Sequence, residues 1–410
     1  MALPIRHRAL PRLRALAGST AACVAAGVLL AGCGPTAPAA EEAATPPAPS
    51  PTPSATPSAS QSPVGSPAPQ DEPAPELLLV TQADRDSVAL VDPRDRDGSA
   101  VVDEITVGAA PWDVAVHEES RRAFVSTAEG VAVVDLAARE RTALLPYAHR
   151  PGRVAYGEYR PGGLGLEVSP DGATVYVAVS TGDQAFLEAI DVADGEAERT
   201  VPVGRRPFDV LVAADGREVY TVDHDGFTVT VVDTATFDAR AVQVAPFGTE
   251  GGLASFEKPH YAVLDPSGDL LLPYQGRALA RVDPGSGDVT TTDLAADTHQ
   301  HGVARADDGT LVIAGNGPFG NAARGASIEV VSPDGDSTVL PTDRRHETVT
   351  TWRDEAGDTF GVLAGGYTQD GAWDGLTVLP LTAALDGPDA SYELRVPGRP
   401  QAVVPVTLPR

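Results

Sequence analysis

From about residue 76 onward, the chain alternates short apolar runs with polar turns. Four segments show this pattern best, and each consists of two β-rich runs joined by a polar turn. They start at Leu79, Ala123, Val175 and Val219, and they end at Asp92, Asp135, Asp191 and Asp233. Two alternating runs of this length around one turn predict a β-hairpin. The folded part of the chain is therefore expected to be built from short antiparallel strands.

Each hairpin has a further strand on either side. The run before it ends in a tight turn, and the run after it leads to a Gly/Arg/Pro element such as 203–207. The preceding turns are 169–172 (Ser-Pro-Asp-Gly), 214–216, 266–268 and 307–309. Four strands repeated at roughly 40–55 residues are typical of a β-propeller blade.

The repeat resembles that of the YVTN β-propellers. Their unit reads V-G-x-x-P-x-x-V-A-x-x-P-D-G-x-x-V-Y-V-x-N, followed by a turn and V-x-V-I-D. The match covers most of residues 77–405 and becomes weaker after Asp283. The resemblance implies an all-β propeller fold. It also favours a binding module over an enzyme, because propellers of this kind often serve binding or adhesion.

Seven blade starts can be placed along the chain. The last start is followed by only one strand, 401–406, whereas residues 77–107 form strands that lack a first partner. The two chain ends are therefore expected to share one blade, which closes the ring and removes the open sheet edge. Two packed β-sandwich domains are the alternative fold. The starts are Pro111, Gly163, Pro207, Pro259, Gln300, Arg345 and Pro400.

Equivalent positions in successive blades form rings around the propeller axis, so repeat register alone predicts which side chains meet. The residues directly after the starts are Trp112, Leu164, Phe208, His260, His301, His346 and Gln401. The residues directly before them are Ala110, Gly162, Arg206, Lys258, His299, Arg344 and Arg399. The first ring carries three histidines, and the second is basic in an otherwise acidic chain.

One hypothesis is that this tunnel mouth binds an anionic small molecule. Arginine and lysine would pair with its carboxylate or phosphate, and the histidines would add donors. Trp112 and Phe208 would contact its apolar part. The predicted binding residues are Arg206, Lys258, His260, His299, His301, Arg344, His346, Arg399, Trp112 and Phe208.

The same histidines support a second hypothesis. His260, His301 and His346 would bind zinc or copper through neutral imidazole nitrogens, as in a metallochaperone. A third is a propeller lyase in which His260 or His301 acts as a base. The structural alternative is that these residues only complete turns at the tunnel mouth. His224, in the turn Asp223–Gly226, is expected to be solvated.

Composition narrows the class of partner. The formal net charge is −27, which disfavours nucleic acid. We expect a monomer that binds a small ligand or a protein partner at the propeller face.

The N-terminus predicts export and anchoring. Four arginines precede an apolar stretch, 15–30, that ends in Leu-Ala-Gly-Cys at Cys33, and this resembles the lipobox of bacterial lipoproteins. Residues 1–32 would be the signal peptide. Residues 33–75 would be the lipidated Cys33 and a disordered Pro/Ala/Ser/Thr stalk, and 76–410 the propeller. The protein is thus expected on the outer side of the cell membrane, held there by lipid.

Overall fold

The computed structural model describes residues 76–96, 100–245, 258–274, 277–319, 322–366, 373–381 and 391–408. These residues form seven four-stranded antiparallel sheets, which are the blades of one β-propeller. The fold predicted from the repeat is thereby confirmed. Cys33, the signal peptide and the stalk lie outside the described residues.

Each blade takes four strands, and in six blades they are consecutive in the chain. The first three of these blades comprise β4 (Val114–His117), β5 (Arg122–Ser126), β6 (Gly130–Asp135), β7 (Glu140–Pro146); β8 (Gly162–Val168), β9 (Thr174–Ser180), β10 (Ala185–Asp191), β11 (Ala197–Val203); and β12 (Pro207–Val212), β13 (Glu218–Asp223), β14 (Thr228–Asp233), β15 (Ala239–Gln243).

The next three blades follow the same order. They comprise β16 (Val263–Leu264), β17 (Leu270–Tyr274), β18 (Ala278–Val282), β19 (Val289–Asp293); β20 (Gln300–Arg305), β21 (Leu311–Asn316), β22 (Ala326–Val331), β23 (Ser337–Pro341); and β24 (Thr348–Arg353), β25 (Thr359–Ala364), β26 (Gly375–Pro380), β27 (Tyr392–Arg395). Among the described residues the only helical segment is a 3-10 turn, His224–Gly226, and none could cross a lipid bilayer.

The seventh blade is built from both ends of the described chain. Its strands are β28 (Pro400–Thr407), β1 (Glu76–Gln82), β2 (Ser87–Val91) and β3 (Val101–Thr106). In order across the sheet, β28 pairs with β1, which pairs with β2 and then β3. The register places Glu76 opposite Thr407 and Leu79 opposite Val404. The predicted closing blade is confirmed.

The burial of each strand explains its composition. The second and third strands of a blade carry apolar runs because both of their faces are covered by neighbouring blades. Leu79 and Leu90 of the closing blade, for example, pack in one core cluster with Val125 and Ala132 of the next. The fourth strands are mostly exposed and polar, as in β7 and β11. The apolar pattern thus fixes which strands lie inside.

The turns confirm the repeat register. Gly216 and Gly309, in two of the predicted turns, have φ of 70° and 96°, a conformation that glycine adopts without strain. Three of the non-glycine residues before the blade starts, Ala110, Arg206 and Arg399, also have a positive φ. The first strands of the blades surround an axial cavity of about 320 Å³.

Candidate functional site

The apolar residues of the first ring form a buried cluster. Trp112, Leu164 and Phe208 are each 1% exposed, and Tyr261 packs against them. Trp112 and Phe208 stack with ring centroids 5.6 Å apart. These side chains therefore pack against one another as a small core that closes one side of the tunnel mouth.

The histidines of the same ring converge beside this cluster. The rings of His260 and His301, which stand on adjacent blades, have centroids 4.0 Å apart. His299 is the third member, with its centroid 4.3 Å from that of His301. One ring nitrogen of each histidine lies within 4.8 Å of the others. The repeat register thus brings two of its predicted ligands together, and the His-x-His spacing supplies a third.

The geometry of this triad suits a metal ion. His301 Nε2 and His299 Nδ1 are 3.4 Å apart. Two nitrogens bound to one zinc ion at about 2.0–2.1 Å with tetrahedral angles are separated by about 3.3 Å. The nitrogen of His260 would have to move inward to reach the same centre. One pair of ligands is therefore preset, and the third needs a small side-chain adjustment.

The three histidines of the triad are buried. His260, His299 and His301 are 2%, 5% and 3% exposed. Desolvation, reinforced by the neighbouring His301, lowers the pKa of His260 and of His299 well below the ordinary value. Both are then neutral at physiological pH, the form in which imidazole binds a metal.

Glu347 holds the far side of the triad. Its Oε2 lies 3.1 Å from Nδ1 of His301, and its Oε1 accepts a hydrogen bond of 3.1 Å from the hydroxyl of Tyr261. The amide of Gln401 donates to the same hydroxyl at 3.1 Å. A carboxylate on the second nitrogen of a histidine fixes the ring and raises its basicity as a ligand. Glu347 is thus placed to orient His301.

His346 lies elsewhere. Its Nε2 is 2.8 Å from Thr377 Oγ1, and its ring meets Trp373 edge to face at 6.0 Å. The reason is a one-residue difference in register. The backbone N–H of Glu347 bonds the last residue of β25, as that of Trp112 bonds the last residue of β5. Glu347, instead of His346, therefore takes the ring position in this blade, and the triad contains His299 in place of His346.

His224 was expected in solvent, and that expectation is wrong. The Asp223–Gly226 turn forms, but His224 is only 2% exposed. Its ring meets that of His260 at 4.4 Å and that of Phe208 at 5.0 Å. Burial lowers the pKa of His224 to about 4. A polar turn sequence gives no sign of this, because Phe208 comes from the first strand of the same blade and His260 from the next blade.

The basic ring residues have carboxylate partners. Lys258 and Arg206 both bond Asp225, Lys258 at 2.8 Å. Two more ion pairs join other ring residues to acids: Arg344 with Glu393 at 2.9 Å and Arg399 with Asp84 at 2.7 Å. The positive charge predicted for the mouth is therefore balanced locally. Each of these acids is distant in sequence from the cation it pairs with, so repeat register alone does not reveal the pairs.

The axial cavity below the mouth is lined by carboxyl groups. Asp113 accepts hydrogen bonds from the backbone N–H of Val114 and Leu166, and Asp209 accepts one from Ala262. Burial raises the pKa of Asp113 well above its ordinary value, with Asp209 adding to the effect. Burial likewise raises the pKa of Asp209 to about 6. Burial thus favours the uncharged form of both carboxyl groups.

Glu167 provides a test of this desolvation. Burial raises its pKa from 4.5 to about 7. The folded state therefore retains a proton that the unfolded state releases, so the favourable contribution is present below about pH 4.5 and is lost as the pH rises through 7. We expect Glu167→Gln to raise the free energy of unfolding by about 1–3 kcal/mol at pH 8 and to change it little at pH 4.

The measurement is urea denaturation of wild type and variant at both pH values. Glu119→Gln, at an exposed carboxylate, is the matched control and should change neither value. An equal effect of Glu167→Gln at pH 4 and pH 8 would contradict the raised pKa.

Solved structures share this fold. Hydrazine synthase from Kuenenia stuttgartiensis superimposes with a TM-score of 0.53 at 17% identity, over 71% of this chain and 88% of that chain. The likeness shows a β-propeller. Virginiamycin B lyase from Staphylococcus aureus gives 0.50 at 15% identity, over 70% and 84%. Dihydro-heme d1 dehydrogenase NirN gives 0.51 at 16% identity, over 78% of this chain and 63% of that chain.

These identities establish the architecture and nothing about chemistry. No family model matches the chain, and no curated protein matches it either. The function must therefore be argued from the side chains at the tunnel mouth.

Proposed function

We propose that this protein is an exported, lipid-anchored β-propeller that binds one transition-metal ion, zinc or copper, through His260, His299 and His301. The observation that carries the proposal is the convergence of three buried imidazoles, with one nitrogen from each within 4.8 Å of the others. Buried polar groups are normally hydrogen-bonded. Nδ1 of His299 faces His301, while its Nε2 has no such partner among the described residues.

The charge around the triad supports a cation as ligand. Lys258 and Arg206 would repel a metal ion if they were unpaired, but Asp225 neutralises them in part. Glu347 lies on the opposite side with its carboxylate against His301. The same pairing weakens the case for an anionic small molecule, because the arginines and the lysine already have anionic partners.

The ligand type restricts the metal. Imidazole suits zinc and copper, whereas thiolate and thioether ligands select softer ions such as Cu(I). The chain has two cysteines and one methionine, and all three lie within residues 1–33. The propeller itself therefore offers nitrogen and oxygen ligands only, and we propose Zn²⁺ or Cu²⁺.

The aromatic side chains around the triad support a binding protein instead of an enzyme. The triad lies under Phe208 and beside Phe319, which stacks on His299 at 4.8 Å. We propose that lipid on Cys33 holds the propeller at the outer side of the cell membrane, where it captures the ion and holds it.

The direct test is titration with Zn²⁺ and Cu²⁺ of protein purified without chelators, followed by calorimetry and elemental analysis. We expect one ion per chain and a rise in melting temperature, since a ligand at 1,000 times its Kd stabilises the folded state by about 4 kcal/mol. Mg²⁺ should produce neither effect. Absence of both stoichiometric metal and a thermal shift would overturn the proposal.

A further inference from the structure

His224 stands next to the triad without belonging to it. It lies in the turn that joins β13 to β14, while His260 comes from the following blade. The two rings meet at 84° with centroids 4.4 Å apart. His224 is not one of the three histidines whose nitrogens lie within 4.8 Å of one another. Its ring is thus adjacent to the proposed metal position and would need to turn to reach it.

Asp225 determines which nitrogen of His224 is available. Its Oδ1 lies 3.1 Å from His224 Nδ1 and also accepts a hydrogen bond of 2.8 Å from Lys258. Its other oxygen accepts one from Arg206. With Nδ1 engaged by a carboxylate, His224 has Nε2 left for a ligand. A histidine that binds a metal through one nitrogen usually has the other held in this manner.

His301 also has a carboxylate beside its Nδ1. Glu347 contacts Nδ1 of His301, whose Nε2 faces His299. Two of the four histidines therefore have a carboxylate beside Nδ1: the partly buried Asp225 beside His224 and the buried Glu347 beside His301. Glu347 lies beside His301 Nδ1, whereas His299 lies beside Nε2 of the same ring, so Glu347 is less well placed than His224 to fill a fourth position.

We infer that His224 is the fourth ligand of the metal proposed above, and that it completes a closed site of four imidazole nitrogens. The inference rests on the proposed function. Centres with three protein ligands keep an open position for water or substrate, whereas centres with four are closed. A closed site holds its ion without an exchangeable ligand, which fits capture and retention.

The test compares His224→Ala and Asp225→Asn with His346→Ala, a buried histidine outside the cluster that serves as the matched control. Zn²⁺ affinity is measured by competition with a chromogenic chelator. X-ray absorption counts imidazole ligands in the loaded protein. We expect His224→Ala to weaken affinity on the order of 100–1,000-fold, as loss of one ligand of a four-ligand site should, and to reduce four imidazoles to three. Asp225→Asn should weaken affinity about tenfold with four imidazoles kept, and His346→Ala should change neither value.

Melting temperatures of the metal-free variants show whether each one folds. If wild type binds Zn²⁺ with three imidazoles and His224→Ala binds equally well, the inference is overturned while the proposed function stands. A loss confined to Glu347→Gln would place that carboxylate in the fourth position and overturn it too. If wild type binds no metal, the proposed function itself fails.

Discussion

Replacing His301 with alanine is expected to abolish stoichiometric metal binding. His301 is the centre of the cluster, because its ring is the near neighbour of both His260 and His299. Structural zinc sites of four ligands are worth about 10–16 kcal/mol. Loss of one ligand should then weaken affinity on the order of 100–1,000-fold. Elemental analysis after dialysis against a weak chelator measures the result.

A melting-temperature measurement and one control variant guard this experiment against a folding defect. His301→Ala leaves a cavity in a buried cluster, so the melting temperature of the metal-free protein is compared with that of wild type. His346→Ala removes an equally buried imidazole, 0% exposed, whose partner is Thr377. It should lose some stability and keep its metal. Equal retention of metal by both variants would contradict the assignment of His301 as a ligand.

Deletion of residues 400–410 is expected to unfold the propeller. Strand β28 supplies the innermost position of the closing blade, and its Ala402, Val403 and Val406 are buried. Burying an aliphatic side chain of this size contributes about 1.5–3 kcal/mol. The loss therefore approaches the 5–15 kcal/mol of total stability typical of a domain. Circular dichroism and thermal melting should show no cooperative transition near that of wild type.

A chain in which strand β28 is moved to the N-terminus tests whether unfolding comes from loss of that strand or only from a shorter C-terminus. Because Thr407 lies opposite Glu76, residues 400–408 can be placed before Glu76 through a tight turn, which forms an antiparallel hairpin in the observed register. This chain should recover the wild-type melting temperature. A deletion variant that melts like wild type would contradict closure by shared strands.

The sequence was sufficient for the architecture because the propeller is a repeat. Asp-Gly turns recur in register, apolar runs recur in the covered strands, and the unpaired strands at the two ends complement each other. Turn glycines such as Gly216 mark the register because only a positive φ fits there. The same register brought His260 and His301 to one ring position on adjacent blades.

Side chains that depart from the repeat could not be predicted in this way. The first strand of the His346 blade differs by one residue, so Glu347 faces the mouth instead of His346. His224 belongs to a turn, and its burial depends on Phe208 and His260 from other strands. The local sequence shows which residues are polar. It does not show which side chains from other strands will cover them once the ring is closed.

The net charge of the tunnel mouth could not be predicted from repeat register either. Arg344 and Arg399 stand in one ring, but their partners Glu393 and Asp84 come from other strands and loops. Counting cations at equivalent positions therefore predicted a basic site, whereas pairing across strands makes it balanced. Burial raises the pKa of Asp113 and of Asp209 on the axis, which reduces their negative charge, and the residue types alone do not show this.

Anomalous diffraction at the zinc absorption edge, from crystals of the zinc-loaded protein, shows directly whether the three histidines hold the ion. We expect a single strong anomalous peak about 2.0–2.1 Å from ring nitrogens of His260, His299 and His301. The same crystals without zinc should show no such peak. A peak located only at surface carboxylates, or no peak beside these three histidines at full loading, would contradict the proposed metal site.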